Sequence, residues 1–336
     1  MQVNPAIAIP LPVFEVWTNI RAEQVGDKSK DPIARFDTPD EVNSFLNIFA
    51  ARGYNQLDTA RTYSPMAPGS SEPRLAAVGA GDRFIIDTKV ASSEPGSHTK
   101  EKVLKSINLS YDALKIKQIN IEYLHKPDRD TPFEEACEAM DQSYKEGKFK
   151  KWGLSNYRAD EVQKIIDICE EHGWVKPTAY QGQYNAVVRG GEKELFPVLR
   201  KHGIAFYAFS PAAGGIFAGR HKNVKAGDRY DKSHYIGSIY SNFYLKPSIL
   251  AAVDNAVAVA AKNGISGHAA SLRWTAYHSV LKKEHDDAVI IGASSLEQLT
   301  ANIDTVEAGP LPDDVVAAFE NVYAQIGEEE EIAYYM

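Results

Sequence analysis

Residues 118–172 read QINIEYLHKPDRDTPFEEACEAMDQSYKEGKFKKWGLSNYRADEVQKIIDICEEH, and this stretch decides the fold class. Gln118–His125 and Lys151–Ser155 are short runs rich in β-branched, aromatic and alternating residues, the pattern of strands. Between them a helix is announced by Thr131-Pro132-Phe133-Glu134: a Thr N-cap, Pro at the first helical position and a carboxylate three residues after the cap. After the second run, Asp160–His172 places Val162, Ile165, Ile166 and Cys169 at i, i+3, i+4 and i+7, one apolar helix face. Cys169 is therefore read as core rather than chemistry.

The same rhythm extends in both directions. Further strand candidates are Tyr54–Asp58, Arg83–Lys89, Thr178–Gln181, Ile204–Ser210 and Ala288–Ser294, with a first strand near Val13–Thr18. Helices are expected from Thr38-Pro39-Asp40-Glu41 and from Ser295, which has Gln298 in the reciprocating position. Strand followed by helix, repeated, implies a parallel sheet covered by helices. About eight such units with no linker among 336 residues predict a single α/β domain over 1–336, a (β/α)8 TIM barrel with a C-terminal helix. A doubly wound open sheet would be favoured by an early Gly-x-Gly-x-x-Gly turn, which the chain lacks; Gly79-Ala-Gly81 reads as a helix end and turn. Residues 210–246, with their glycines and a crowd of Tyr and His, break the rhythm and are expected to form a long lid loop. Residues 326–336, with Glu328 to Glu331, are expected to be a solvated acidic tail.

Composition bounds the partners. Thirty-seven Lys and Arg against 45 Asp and Glu give a net charge of −8, and no stretch is dense in cations. Such a chain repels phosphates, so neither nucleic acid nor an anionic membrane is an expected partner. No apolar run approaches the roughly 18 residues of a spanning helix, and Met1 to Pro12 lacks the basic start of a signal peptide. The two cysteines, Cys137 and Cys169, match no disulfide or metal-ligand spacing, so no metal is expected and a reducing, cytoplasmic compartment is the default. These residues are compatible with a monomer or a homo-oligomer.

Barrel enzymes carry their chemistry at the C-terminal ends of the strands. The polar residues expected there are Asp58 and Tyr63, Lys89, His125, Ser155 and Asn156, and Gln181. The first four fit carbonyl reduction. A phenol is a weak acid whose phenolate a nearby ammonium favours, and a carboxylate would hold that ammonium charged and oriented. A histidine could donate a hydrogen bond to a carbonyl as negative charge develops there.

Several motifs then carry a family resemblance. Asp58-Thr-Ala-x-x-Tyr63, Lys89 in Ile-Asp-Thr-Lys, His125 in Tyr-Leu-His-Lys-Pro-Asp and Gly153-Leu-Ser-Asn-Tyr157 resemble the aldo-keto reductase signature. Tyr180-Gln-Gly-Gln-Tyr-Asn185, Glu194-Leu-Phe-Pro197, Phe206-Tyr-Ala-Phe-Ser-Pro211, Ala213-Gly-Gly215 and Ile291-Gly-Ala-Ser-Ser-Leu-Glu-Gln-Leu299 are similar to the aflatoxin-aldehyde reductase branch. The resemblance implies a barrel that binds NADPH without a Rossmann fold and reduces aldehydes or ketones. Tyr63 would be the general acid, Lys89 and Asp58 its tuners and His125 the carbonyl-orienting donor. Ser155, Asn156 and Gln181 would hold the nicotinamide carboxamide, and Phe209 would stack on its ring. Ser210, Gly214 and Arg220 would line the pyrophosphate. Gly292, Ser294, Ser295, Gln298 and Asn302 fall in the family's adenosine-phosphate segment, although Ser295 and Gln298 also read as a plain helix cap.

The first strand departs from the family. Where a glycine-containing turn is usual the chain has Val13-Phe14-Glu15-Val16-Trp17-Thr18-Asn19-Ile20, with Glu15 and Ile20 where glycines are expected. Trp17 and Glu15 are thereby candidates for the substrate pocket. Gly237–Lys246 holds no arginine for an acidic substrate, so an aromatic carbonyl compound is the expected partner of the Tyr-rich lid. Two alternatives keep the fold and cofactor site: a non-reductive dehydration or isomerisation, and a cofactor-binding regulatory subunit.

Overall fold

The computed structural model describes residues 17–225, 228–233 and 235–336. Eight parallel strands close into a barrel: β1 Trp17–Arg21, β2 Gln56–Asp58, β3 Ile85–Val90, β4 Ile119–Leu124, β5 Phe149–Ser155, β6 Ala179–Gln183, β7 Ala205–Phe209 and β8 Ala288–Ile291. Each strand pairs with the next, and β1 closes on β8 with Trp17 opposite Ala288 and Ile20 opposite Ile291. Helices follow the strands, including Pro39–Ala51, Lys100–Leu114, Phe133–Lys145, Ala159–His172, Gly191–Lys201 and Leu296–Glu307.

Two apolar layers follow from the alternation of side chains along each strand. Ile121, Tyr123, Ala179, Ala205, Tyr207, Ala288 and Ile290 fill the barrel interior. The opposite faces of the strands pack against the helices, as the sequence arranges for Val162, Ile165, Ile166 and Cys169 of Ala159–His172. Gly153 of β5 is a glycine for packing reasons, because a Cβ there would lie 2.6 Å from the Tyr123 ring.

The local signals succeed unequally. Thr38 caps Pro39–Ala51 in a full capping box with Glu41. Thr131 does not cap its helix: its hydroxyl donates to Asp128 Oδ2 at 2.7 Å, and the helix starts at Phe133. The Asp128 carboxylate also accepts the Asp130 and His98 backbone N–H groups, so it offers that hydroxyl a stronger acceptor than the helix offers a donor.

Three larger expectations are corrected. The first strand runs on past the expected end at Thr18 to Arg21; the expected start near Val13, with Glu15, lies outside the described residues, as does the Trp17 side chain. The 210–246 segment is no open loop. It holds two short 3-10 helices, Ala213–Ala218 and Arg220–Lys222, and an α-helix, Tyr235–Tyr244, whose aromatic face packs Tyr240 against Tyr230 and Tyr244. The acidic tail is docked: Glu330 accepts from the Ser248 N–H and hydroxyl, Tyr334 is buried against Gly191, and the Met336 N–H donates to the Asn156 carbonyl at 3.0 Å. Tyr334 anchors what the glutamates alone would leave in water.

One buried carboxyl has a consequence for stability. Glu122 sits opposite Thr88 in register, on the strand face away from Tyr123, fully buried and with neither oxygen hydrogen-bonded. Burial, then the neighbouring Glu72 charge, holds it well above the carboxylate range, so it is neutral at pH 7. A raised carboxyl stabilises the fold fully below its unfolded value near 4.3, and that contribution is lost as pH rises toward the folded value. Glu122→Gln removes this loss. In urea denaturation at pH 5 and pH 8, the stability gap in favour of Gln should widen with pH, by at most about 1.4 kcal/mol per unit; parallel curves would show that Glu122 does not titrate this way.

Candidate active site

Register places the site. Arg21 of β1 pairs with Asp58 of β2, which pairs with Asp87 of β3, so these side chains share the inner face with Lys89 two residues on. Four polar groups from consecutive elements meet at the C-terminal mouth. Lys89 Nζ donates to Asp58 Oδ1 and Oδ2 at 2.7 and 2.8 Å, to the Thr59 carbonyl at 2.7 Å and to Tyr63 Oη at 3.1 Å. Lys89 and Asp58 are both completely buried. Tyr63 Oη lies 3.4 Å from Asp58 Oδ2, a long contact for a hydroxyl donor. The His125 ring stands edge-on to Tyr63, 5.8 Å between centroids, with Nδ1 3.1 Å from Thr62 Oγ1.

The electrostatics favour an acid at Tyr63. Burial raises the phenol well above its ordinary value, with Arg21 pulling the other way, so the hydroxyl is protonated at neutral pH. Burial lowers the Lys89 ammonium, and Asp58 opposes that loss. His125 is pushed well below its ordinary range by burial, then by Lys89 and Arg21, so its imidazole is neutral with one N–H to give.

The other candidates gather around this cluster. Gln181 Nε2 donates to Asp58 Oδ1 at 2.8 Å, and Asn156 Nδ2 donates to the His125 carbonyl and to Ser155 Oγ, both at 2.9 Å. Asn156 (φ +66°) and Ser210 (φ +55°) both hold left-handed backbone at strand ends, a strain typical of ligand sites. Ser210, Gly214, Arg220, Gly292, Ser294, Gln298 and Asn302 all line a cleft of about 700 Å³. Ser295 does not line it; its hydroxyl accepts the Gln298 N–H at 3.1 Å, and Gln298 Oε1 turns back to the Ser294 N–H and hydroxyl. The helix-cap reading of Ser295 thus holds. Gly214 has φ +65°, and a Cβ there would meet the Tyr240 ring at 2.8 Å.

Sequence reasoning missed Arg21, Glu23, Arg229 and Tyr240. Arg21 Nε donates to Tyr63 Oη at 2.9 Å, and its guanidinium lies over the Tyr63 and Phe209 rings. Glu23 Oε2 is 3.4 Å from Arg21, and Arg229 donates to Tyr240 Oη at 3.0 Å; all four residues line the cleft. Gly237–Lys246 holds no arginine, as read, but Arg229 just before that stretch lines the cleft. A strand end placed at Arg21 would have exposed that residue to the same strand-end rule that found Asp58.

The charge balance fits a polyanionic cofactor. In a chain of net charge −8, Arg21, Arg35, Arg220 and Arg229 line this one cleft against only Glu23 and Asp228. The family model for the aldo/keto reductases matches residues 25–324. The chain belongs to the aldo/keto reductase family. Among curated relatives it is 40% identical over 290 residues to an aldo-keto reductase of Pseudocercospora fijiensis, covering 84% of this chain and 97% of that one. It is 38% identical over 308 residues to aflatoxin B1 aldehyde reductase member 2 of Homo sapiens, with 88% and 85% covered, and 36% identical over 293 residues to oxidoreductase sirO of Leptosphaeria maculans, with 87% and 88% covered. This aldo/keto reductase is an oxidoreductase of a carbonyl-reducing family whose members use nicotinamide cofactors.

Proposed function

We propose that this protein reduces an aldehyde or ketone to the alcohol with NADPH, Tyr63 giving the proton. The observation that carries this reading is the Tyr63 hydroxyl itself, protonated by burial and set on the buried Lys89–Asp58 pair beside a neutral His125. Bound NADPH supplies the hydride. Tyr63 passes its hydroxyl proton to the carbonyl oxygen, and Lys89 steadies the phenolate that remains. His125 gives its single N–H to the same carbonyl oxygen, orienting it and meeting the charge that develops there.

Residues of the cleft would hold the cofactor. Arg220 has no ion-pair partner among the described residues, which frees its guanidinium for phosphate. The backbone at Gly214 and the N-terminus of Leu296–Glu307 offer N–H groups for the same purpose. The paired rings of Tyr240 and Tyr244, with Tyr240 lining the cleft, favour an aromatic substrate. Such chemistry suits secondary metabolism, in keeping with fungal relatives.

Titration of intrinsic fluorescence with NADPH, followed by a carbonyl panel, tests the reading. Saturable binding and consumption of NADPH with at least one aldehyde or ketone are expected. Binding without consumption across the panel would instead favour a non-reductive reaction. Arg220→Ala should weaken NADPH binding about 10- to 100-fold, the worth of a charge-assisted contact; unchanged binding would remove Arg220 from the phosphate site.

A further inference from the structure

The oxygen of Tyr63 is approached by two cations, and a count of their hydrogens separates them. Lys89 has three N–H groups, already drawn to both Asp58 oxygens and the Thr59 carbonyl at 2.7–2.8 Å. Its 3.1 Å contact to Tyr63 is the longest of the four and must share a hydrogen. Arg21 Nε approaches the same oxygen at 2.9 Å, and the competitor for its N–H is Glu23 Oε2 at 3.4 Å. Arg21 is thus the better placed donor. It also lines the cleft.

We propose that Arg21 is a further catalytic residue, the principal hydrogen-bond donor to Tyr63 Oη as its proton passes to the substrate carbonyl. The proposal rests on the reading of the site as a carbonyl reductase. In that step the carbonyl carbon gains hydride from NADPH, the C=O π bond breaks, and the carbonyl oxygen takes the proton from Tyr63. The electron pair of the broken O–H bond stays on Tyr63 as phenolate, next to Arg21, until solvent returns a proton. The charged or titratable groups facing this oxygen are Asp58 from β2, Lys89 from β3, His125 after β4, and Arg21 and Glu23 from β1 and the turn beyond it. Arg229 and Tyr240 complete the surroundings of Arg21 and Glu23. Burial works against the charge of Arg21, yet Glu23, Tyr63 and Asp58 hold it above its ordinary value, so it is a permanent cation here.

The test uses protein labelled with 13C at the tyrosine ζ carbon, with Tyr63→Phe identifying the Tyr63 resonance among 17 tyrosines. In Arg21→Met the titration of Tyr63 should move up by about one to two pH units, and kcat for a panel substrate should fall about 10- to 100-fold. The alkaline limb of the rate profile should shift by the same amount as the resonance. Arg21→Lys should recover part of both effects, and Glu23→Gln, which removes the competing carboxylate, should move Tyr63 down. If Arg21→Met fails to fold by circular dichroism, Arg21→Gln gives the same direction with a smaller size. A Tyr63 titration unmoved in Arg21→Met, or in Arg21→Gln if that variant is needed, overturns the role of Arg21 and leaves reduction intact. A shifted titration in a protein that consumes no NADPH overturns reduction and keeps Arg21 as the donor to Tyr63.

Discussion

Replacing Tyr63 by Phe lowers kcat for carbonyl reduction by about 10²- to 10⁴-fold, the usual worth of a positioned proton donor, and leaves NADPH binding unchanged. The substitution removes one oxygen and keeps the ring in its buried place, so packing and the cleft are conserved. The lost oxygen is the meeting point of Arg21 and Lys89, and no other neutral hydroxyl among the described residues bonds both. Steady-state kinetics with parallel fluorescence titration of NADPH checks this. Turnover within tenfold of the unaltered protein would transfer the proton donor to another group.

The second large effect is on stability. Lys89 and Asp58 form an ion pair with no solvent access, and removing one partner strands the other. Lys89→Met leaves the Asp58 carboxylate with Gln181 as a hydrogen-bonding neighbour and should cost about 3–5 kcal/mol in urea denaturation. Combining it with Asp58→Asn removes both charges and should restore much of that loss, yet kcat of the double variant should stay about 10- to 100-fold below the original, because the Tyr63 oxygen keeps Arg21 but has lost Lys89. A single variant as stable as the original would mean that the stranded carboxylate finds water or a proton at little cost. Stability and activity thus separate at one pair, which distinguishes its catalytic part from its structural part.

The barrel was legible because its signals are local and repeated. Short strands and the apolar stripe of Asp160–His172 specify a parallel sheet regardless of where each boundary falls, and errors of two or three residues do not change that. The same tolerance fails for a site residue. Shifting β1 by three residues turns Arg21 from an unremarkable turn residue into the terminal residue of a barrel strand, aimed at Tyr63. Asp58, Lys89 and His125 stand out because each closes a short run that reads as a strand and lies in a family-like motif, whereas the start of β1 departs from the family pattern.

Other misses have separate physical causes. Tyr235–Tyr244 is only ten residues long, contains Gly237 and is rich in aromatic and β-branched residues, which weakens its reading as a helix from sequence. Packing of its Tyr240 against Tyr230, outside the helix, supplies the order instead. The tail reads as solvated from four glutamates, but its position is decided by Tyr334 and by the Met336 N–H reaching Asn156, contacts across 140 or more residues of sequence that no local pattern reveals. Thr131 shows the same limit in miniature, since its choice between a helix N–H and the Asp128 carboxylate depends on both being present.

The most direct test of the whole account is the fate of the hydride. Protein incubated with NADPH deuterated on its nicotinamide ring and an aromatic aldehyde should yield an alcohol with deuterium on the carbinol carbon, from one face of the cofactor only, as read by mass spectrometry. An alcohol without deuterium whichever C4 face carries the label, or bound NADPH that remains unconsumed with every carbonyl compound offered, would contradict it.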